Sequence, residues 1–284
     1  MARADDEQTN ARVTQTEVEV PGSPEEVWEA IATGAGHAAW LFTAEIEARP
    51  GGAMVIRRKP FGGDAVATVT AWDPPHRFAF EEPIEPGDGS TAPPLATEFL
   101  VEARSGGTCV VRVVSGLLHD GDGWEDLVEG AGEGWRMALE ILRAYLTHFA
   151  GQPVAHLDVI GGVSRPLDHR TDVFAAIISK LGLTGLAAGD SFRLPPDAPP
   201  LAGVVERAPN NFMLLRATQP CPGLVGISTL PMDGATLTVN VSGRLYGPDA
   251  VPVAQRQQPR WEAWLCDRFP VSAAPHAISA GPEA

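Results

Sequence analysis

Residues 18–28 read VEVPGSPEEVW, and the meaning of the whole first half turns on them. From Val13 to Val20 branched and polar residues alternate, the period-two pattern of a half-buried strand. Pro21-Gly22-Ser23 breaks that pattern. Ser23 then suits a helix N-cap, Pro24 suits the first helical position, and Glu25 and Glu26 place negative charge at a helix N-terminus. Val27, Trp28 and Ile31 give this helix an apolar face, with Trp28 read as core. Gly34 and Gly36 interrupt it, and a short second helix leads to Trp40.

A run of strands follows: Ala44–Ala48, Ala53–Arg58, Ala65–Trp72, Arg77–Glu81, Thr97–Ala103 and Cys109–Ser115. Pro50-Gly51-Gly52, Gly62-Gly63-Asp64, Asp73-Pro74-Pro75 and Ser105-Gly106-Gly107 supply the turns. Glu82 to Pro94 is too rich in proline, glycine and acid for a strand and reads as an extended loop. A long helix is expected from about Gly132 to Phe149, with Trp135, Leu139, Leu142 and Leu146 at helical spacing and Met137, Ile141, Tyr145 and Phe149 widening the stripe. Gly151 and Pro153 end it. An antiparallel sheet cannot bury one face unaided, and this helix is the element long enough to cover it.

The second half repeats the order. Val154–Ile160 reads as a strand and Asp172–Leu181 as a helix. Phe192, Leu201–Arg207, Phe212–Ala217, Leu224–Leu230 and Ala235–Leu245 read as strands, and a last helix runs from about Gln255 to Asp267. The segment Gly106–Gly116 aligns without gaps on Asp233–Gly243. Each copy then reaches a tryptophan, Trp135 or Trp261, with a leucine four residues on, Leu139 or Leu265. One detail resists this alignment. Cys109, Val111 and Val113 are apolar, while Thr236, Thr238 and Asn240 opposite them are polar. Either the register slips by one residue, which exchanges the faces, or the second copy has a polar inner face.

The expected fold class is therefore α+β: tandem helix-grip domains, each an antiparallel sheet around a long C-terminal helix, with two short helices after the first strand. The expected boundaries are a disordered arm over 1–12, a first domain over 13–151, a diverged second domain over 152–270 and a disordered tail over 271–284. A length of 284 residues suits two domains. The net charge of −15 is uneven: residues 1–152 carry 25 acidic and 11 basic side chains, the remainder 11 and 10. That acidity argues against nucleic acid as a partner. No apolar run is long enough to span a membrane. The three cysteines, Cys109, Cys221 and Cys266, fall in no metal-ligand spacing, so no metal is expected and a reducing, cytoplasmic setting is the simplest.

Val18 through Trp40, Gly51-Gly52, the segment Trp72-Asp73-Pro74-Pro75-His76-Arg77-Phe78 and Gly134-Trp135 together resemble the AHSA1-type (activator of Hsp90 ATPase homologue-like) branch of the START/Bet v1-like, or SRPBCC, superfamily. The resemblance covers about residues 13–150. The second half has Thr171-Asp172-Val173-Phe174 where the first has its Pro-x-x-Val-Trp helix, and resembles only a diverged copy. The resemblance implies a pocket between sheet and long helix for an apolar or aromatic small molecule. Members of the superfamily bind hormones, lipids or polyketides, some catalyse cyclisation or dehydration, and the branch takes its name from a co-chaperone.

The expected lining residues are Trp40, Phe42, Met54, Phe78, Phe80, Phe99, Val111, Trp135, Met137 and Leu139. Polar candidates are Arg57, Arg58, His76, Arg112, His119 and Tyr145. Arg112 is expected on the outer strand face and His76 in a surface turn. His119 beside Asp120 could serve as an acid or base, with a plain surface loop as the alternative. Asp120 and Asp122 only loosely resemble the start of a calcium loop. No nucleophile elbow, phosphate loop or cofactor motif is present. Three functions stay open: binding of an apolar or aromatic small molecule, mainly in the first domain; an aromatase/cyclase-type enzyme; and a chaperone-interaction module. A homodimer also stays open as a partner state.

Overall fold

The computed structural model describes residues 12–84, 93–117, 125–163, 169–209, 211–231 and 237–270. The expected arm apart from Arg12, which begins the first strand, the expected tail, most of the acidic loop, and His119, Asp120 and Asp122 lie outside the described residues. Two compact units emerge. The first holds the chain to His156 together with Cys221–Leu224 and Arg244–Val251; the second holds Leu157–Pro220, Val225–Gly243 and the chain from Pro252 onward.

In the first unit the order is β1 (Arg12–Pro21), α1 (Pro24–Ala32), α2 (Gly34–Trp40), β2 (Thr43–Ile46), β3 (Ala53–Arg57), β4 (Ala65–Asp73), β5 (Arg77–Glu82), β6 (Leu95–Arg104), β7 (Thr108–Leu117) and α3 (Glu125–His148). The seven strands form one sheet in the order β1-β7-β6-β5-β4-β3-β2. All of its neighbouring pairs are antiparallel. The start of α1 is closed as the sequence suggests. Ser23 Oγ accepts from the Glu26 N–H, and Glu26 Oε2 accepts from the Ser23 N–H at 2.8 Å, a reciprocal capping box. Gly36 lets α2 lie against α1, since a Cβ there would sit 1.9 Å from the Glu29 carbonyl oxygen.

The long helix begins at Glu125, earlier than the expected Gly132, so Gly134-Trp135 lies well within it. Glycines at 130, 132 and 134 weaken the helical signal of the sequence. Gly132 has a packing role: a Cβ at this position would come within 2.4 Å of Thr14 Oγ1 on β1.

The second unit is built on β8 (Val154–Val163), α4 (Arg170–Lys180), β9 (Ser191–Arg193), β10 (Ala202–Arg207), β11 (Phe212–Gln219), β12 (Gly223–Pro231), β13 (Leu237–Tyr246) and α5 (Ala250–Arg268). Its six-stranded sheet has the order β8-β13-β12-β11-β10-β9. Among the described residues a single helix, α4, stands between β8 and β9.

The geometry resolves the register of β13. A Cβ at Gly161 of β8 would meet Leu265 Cβ at 3.4 Å and Phe269 Cβ at 3.1 Å, so that face of β8 looks at α5. Gly243 of β13 sits beside Leu157 of the same β8 face. Leu237, Val239 and Val241 therefore form the inner face and Thr238 and Asn240 the other, which is the one-residue slip. Thr238 and Asn240 are nevertheless buried as well.

Candidate ligand-binding site

Cross-strand pairing lines up the inner face of the first sheet in rows. Phe78 lies opposite Phe99, and Phe99 opposite Val113. The Phe78 and Phe99 rings stack with centroids 6.1 Å apart, and Trp135 of α3 meets Phe99 edge-on at 5.2 Å. That contact identifies this row as the one α3 covers. The next row is Phe80, Thr97 and Ser115. Phe80 stands 5.6 Å from Phe78. Thr97 and Ser115 are 3 % and 1 % exposed, and their hydroxyl oxygens are 3.1 Å apart, so one donates to the other. On the other side of the Phe99 row, Val101, Val111 and Val18 pair across β6, β7 and β1.

Of the ten expected lining residues, Trp40, Phe78, Phe80, Phe99 and Trp135 join one aromatic cluster; Trp40 reaches Phe99 edge-on at 6.5 Å. Val111 and Met54 lie on the same sheet face, Met54 opposite Ala67 on β3 and β4. Leu139 is buried one helical turn after Trp135. Met137 is placed elsewhere, since two residues from Trp135 is a rotation of about 200° round the helix, and it is only half-buried. Phe42 belongs to a second group: its ring is 6.4 Å from Phe61, and the Arg58 guanidinium lies 6.0 Å from its centroid. Trp135 is the half-buried member of the main cluster, where the inner aromatic row comes toward the surface.

The polar candidates separate as clearly. Arg57 is exposed and paired with Glu45 and Asp64, at 3.1 and 3.0 Å. Arg58 forms a two-pronged ion pair with Glu82. His76 is exposed in its turn, and Arg112 holds Glu17 and Glu102 on the outer face. Tyr145 is buried, and its hydroxyl accepts from the Gly151 N–H at 3.2 Å, closing the end of α3.

Three residues that matter here were not among the sequence candidates: Thr97, Ser115 and His37. For the first two the signal was parity. Thr97-x-Phe99-x-Val101 and Val111-x-Val113-x-Ser115 put both hydroxyls on the inner face. His37 lies in α2, and its value comes from long-range packing. It is 1 % exposed, and its Nδ1–H donates to the Phe42 carbonyl at 2.7 Å. Burial, with the Arg58 and Arg244 charges adding to it, lowers its pKa from 6.5 to about 4. The imidazole is thus neutral at pH 7 with its proton on Nδ1.

The end of α2 needs partners because the last carbonyls of a helix have none within it. Side chains provide them. The Ala38 carbonyl accepts from His156 Nε2–H at 2.8 Å, Ala39 from the Tyr246 hydroxyl at 2.7 Å, and Leu41 from Arg244 Nε–H at 2.9 Å. These bonds explain why Arg244–Val251 belongs to the first unit. The end of α2, which carries Trp40 of the aromatic cluster, is thus tied by three side-chain hydrogen bonds.

An antiparallel sheet with two short helices after its first strand and a long C-terminal helix across it defines the helix-grip class of fold. Residues 21–147 match the model of the Activator of Hsp90 ATPase homolog 1-like protein family. These residues have an AHSA1/Bet v1-like fold, and a second α+β domain follows. No curated protein matches the chain in sequence. Among solved structures the chain is similar to a protein from Mesorhizobium loti, at 20% identity over 49% of this chain and 98% of that one, TM-score 0.44. It is similar to the Aha1 dimer from Colwellia psychrerythraea, at 20% identity over 49% and 99%, TM-score 0.40. It is also similar to the di-domain ARO/CYC BexL from the BE-7585A biosynthetic pathway, at 14% identity over 93% and 100%, TM-score 0.43. Among the described residues no helix is long and apolar enough to cross a membrane.

Proposed function

We propose that the first unit binds a small, mainly apolar aromatic molecule between α3 and the inner face of its sheet. The observation that carries this reading is the continuity from half-buried Trp135, through Phe99 and Phe78, to Phe80 beside the Thr97–Ser115 hydroxyl pair. Apolar walls with a few convergent polar groups are what a small-molecule site requires. The aromatic rings supply area and stacking, and the hydroxyl pair supplies a donor or acceptor to orient a polar substituent. Neutral His37 adds no charge to this interior, which suits an uncharged ligand.

The test is a thermal-shift and native mass-spectrometry screen of the full chain with lipids, flavonoids and polyketide-like aromatics. A binder from the aromatic set is expected to lose at least tenfold in affinity on Trp135→Ala, the cost of one well-packed aromatic contact. Thr97→Val should weaken hydroxylated binders more than their unsubstituted counterparts. An aromatic binder whose affinity is unchanged by Trp135→Ala and Phe99→Leu would overturn the reading.

A further inference from the structure

The outer surface of the second unit carries a groove of about 520 Å³, between α5 and the segment that joins β9 to β10. Ala198, Pro199 and Pro200 form one wall. The other is the α5 stripe Arg260, Trp264 and Arg268, with Ala263 and Asp267 beside it. Residues four apart stand one above another on a helix, so the two arginines mark the ends of this stripe, about 12 Å apart. Trp264 is buried and packs against Trp261 and Phe269, with the Arg268 guanidinium 4.7 Å from its ring. It is a fixed floor.

The two ends of the groove differ in charge. Arg268 donates to Oδ2 of Asp197 at 2.8 Å and to Oδ2 of Asp267 at 3.0 Å. One guanidinium therefore meets two carboxylates, and this end keeps an excess of negative charge. The Oδ1 atom of each aspartate has no hydrogen-bond partner among the described residues. At the other end Arg260 is exposed, and it has no ion-pair partner among the described residues. That end keeps an excess of positive charge.

The middle is apolar and offers no hydrogen-bond donor along its proline wall. Pro199 and Pro200 lack an N–H, and the Ala198 N–H already donates to the Pro195 carbonyl at 3.0 Å. The opposite wall is helix, whose main-chain groups are paired within it. An extended peptide docks through main-chain hydrogen bonds, and this wall gives it no donor. A molecule recognised by charge at its ends and by contact along its body does not need one.

We propose that this groove binds a small zwitterion with a slender apolar body. Its carboxylate pairs with Arg260, its ammonium donates to the Oδ1 atoms of Asp197 and Asp267, and its body lies over Ala263 and Trp264 against the two prolines. The volume is in the range of small-molecule sites. A ligand with one charge leaves one end of the groove unmet, and a ligand of reversed polarity is repelled at both ends. The groove lies outside the helix-and-sheet interior, and the site is independent of the one proposed in the first unit.

The experiment is an NMR titration of the isotope-labelled full chain with 8-aminooctanoic acid, reading the amide shifts of residues 260–268. Octanoic acid and octylamine are the probes that lack one charge each. The amino acid is expected to give saturable shifts in α5, and each single-charge probe to bind roughly fivefold more weakly, the effect of one exposed charge pair. Arg260→Gln should lower the affinity of the amino acid to that of octylamine, and Asp267→Asn should lower it toward that of octanoic acid. Ala263→Leu puts a larger side chain into the groove at an exposed position where leucine suits a helix, and should abolish the saturable shifts. A melting curve for each variant verifies that it folds. Three results would overturn the proposal: no saturable shift in α5, a single-charge probe that binds as tightly as the amino acid, or binding unchanged by Ala263→Leu. Saturable shifts confined to the first unit would also overturn it, and would leave the aromatic site there standing.

Discussion

β7 and β13 occupy the same place in their sheets, next to the edge strand and under the long helix, yet their side chains meet different surroundings. Along β7 buried and half-buried residues alternate from Thr108 to Ser115, with Cys109, Val111 and Val113 inward and Arg112 outward in its ion pairs. Along β13 nearly every residue is buried, including Thr238 and Asn240. Alternation is a trace of water on one face, so a strand covered on both faces loses it. The inner faces differ in another way. In the first unit the buried hydroxyls of Thr97 and Ser115 satisfy one another, whereas in the second Thr229 and Gln257 hold unpartnered atoms. In one interior the buried hydroxyls are paired with each other; in the other some buried polar atoms have no partner.

The largest expected effect falls on the aromatic row of the first unit. Phe99 touches Phe78, Trp40 and Trp135 and is fully buried. Phe99→Ala should destabilise the first unit by about 3–5 kcal/mol, the usual cost of deleting a buried ring and leaving a cavity. Urea denaturation, with the Trp135 environment followed by fluorescence, measures it. A loss near 1 kcal/mol would mean that the row is loosely packed and that the contrast between the two interiors is overstated.

Acid should separate the units next. His37 has a folded pKa of about 4 against an ordinary 6.5, with burial as the leading cause and Arg58 and Arg244 adding to it. Between those values the unfolded chain takes up a proton that the folded chain refuses. The His37 contribution is fully present above about pH 6.5 and is lost as pH falls toward 4. Its size is about 3 kcal/mol on the linkage relation. Chemical denaturation at pH 7 and pH 4.5 should show the loss, and His37→Gln should flatten that part of the profile. If the variant keeps the full pH dependence, another group governs it.

The course of the chain was legible to a considerable depth. Every strand expected in both halves has its counterpart, because turn residues and alternation are local signals. The N-cap was visible as Ser23 ahead of Pro24, Glu25 and Glu26, while the reciprocal bond from Glu26 came only with the structure. The failures share a physical origin. The start of α3 was set too late because glycine weakens the helical signal, while the reason for Gly132 is Thr14, far away in sequence. The face of β13 was ambiguous because both faces are buried. In the site, Phe78, Phe99 and Trp135 could be read from period and spacing. Met137 shared their apolar character without their angle on the helix. His37 could not be read at all, since its neutrality depends on Arg58 and Arg244, each remote in the chain.

The two units also bring helix and edge strand together by different means, and a smaller effect tests this. In the first, the glycine is on the helix: Gly132 faces Thr14 of β1. In the second it is on the strand: Gly161 of β8 faces Leu265 and Phe269. Gly132→Ala would gain about 1 kcal/mol of helix propensity on an open surface. Here its Cβ would meet Thr14 Oγ1 at 2.4 Å, so the net result should be a loss of about 2 kcal/mol from overpacking. Adding Thr14→Ala should recover most of it and release the propensity gain. A double-mutant cycle on urea midpoints checks this coupling; simple additivity would place the clash elsewhere.

The smallest effect has the opposite sign and bears most directly on the contrast. Thr229 is fully buried on the α5-facing side of β12, its hydroxyl without a partner. Valine has nearly the same shape and no group to leave unsatisfied. Thr229→Val should therefore stabilise the second unit by about 1 kcal/mol, the penalty of one orphaned hydroxyl. The matching change in the first unit, Thr97→Val, should cost about the same amount, because it leaves the Ser115 hydroxyl alone. The pair of variants is thus expected to move stability in opposite directions although the substitution is identical. Thermal denaturation of the two proteins side by side reads the signs. Destabilisation by both would show that Thr229 is as well satisfied as Thr97, and the contrast between the two interiors would then fall.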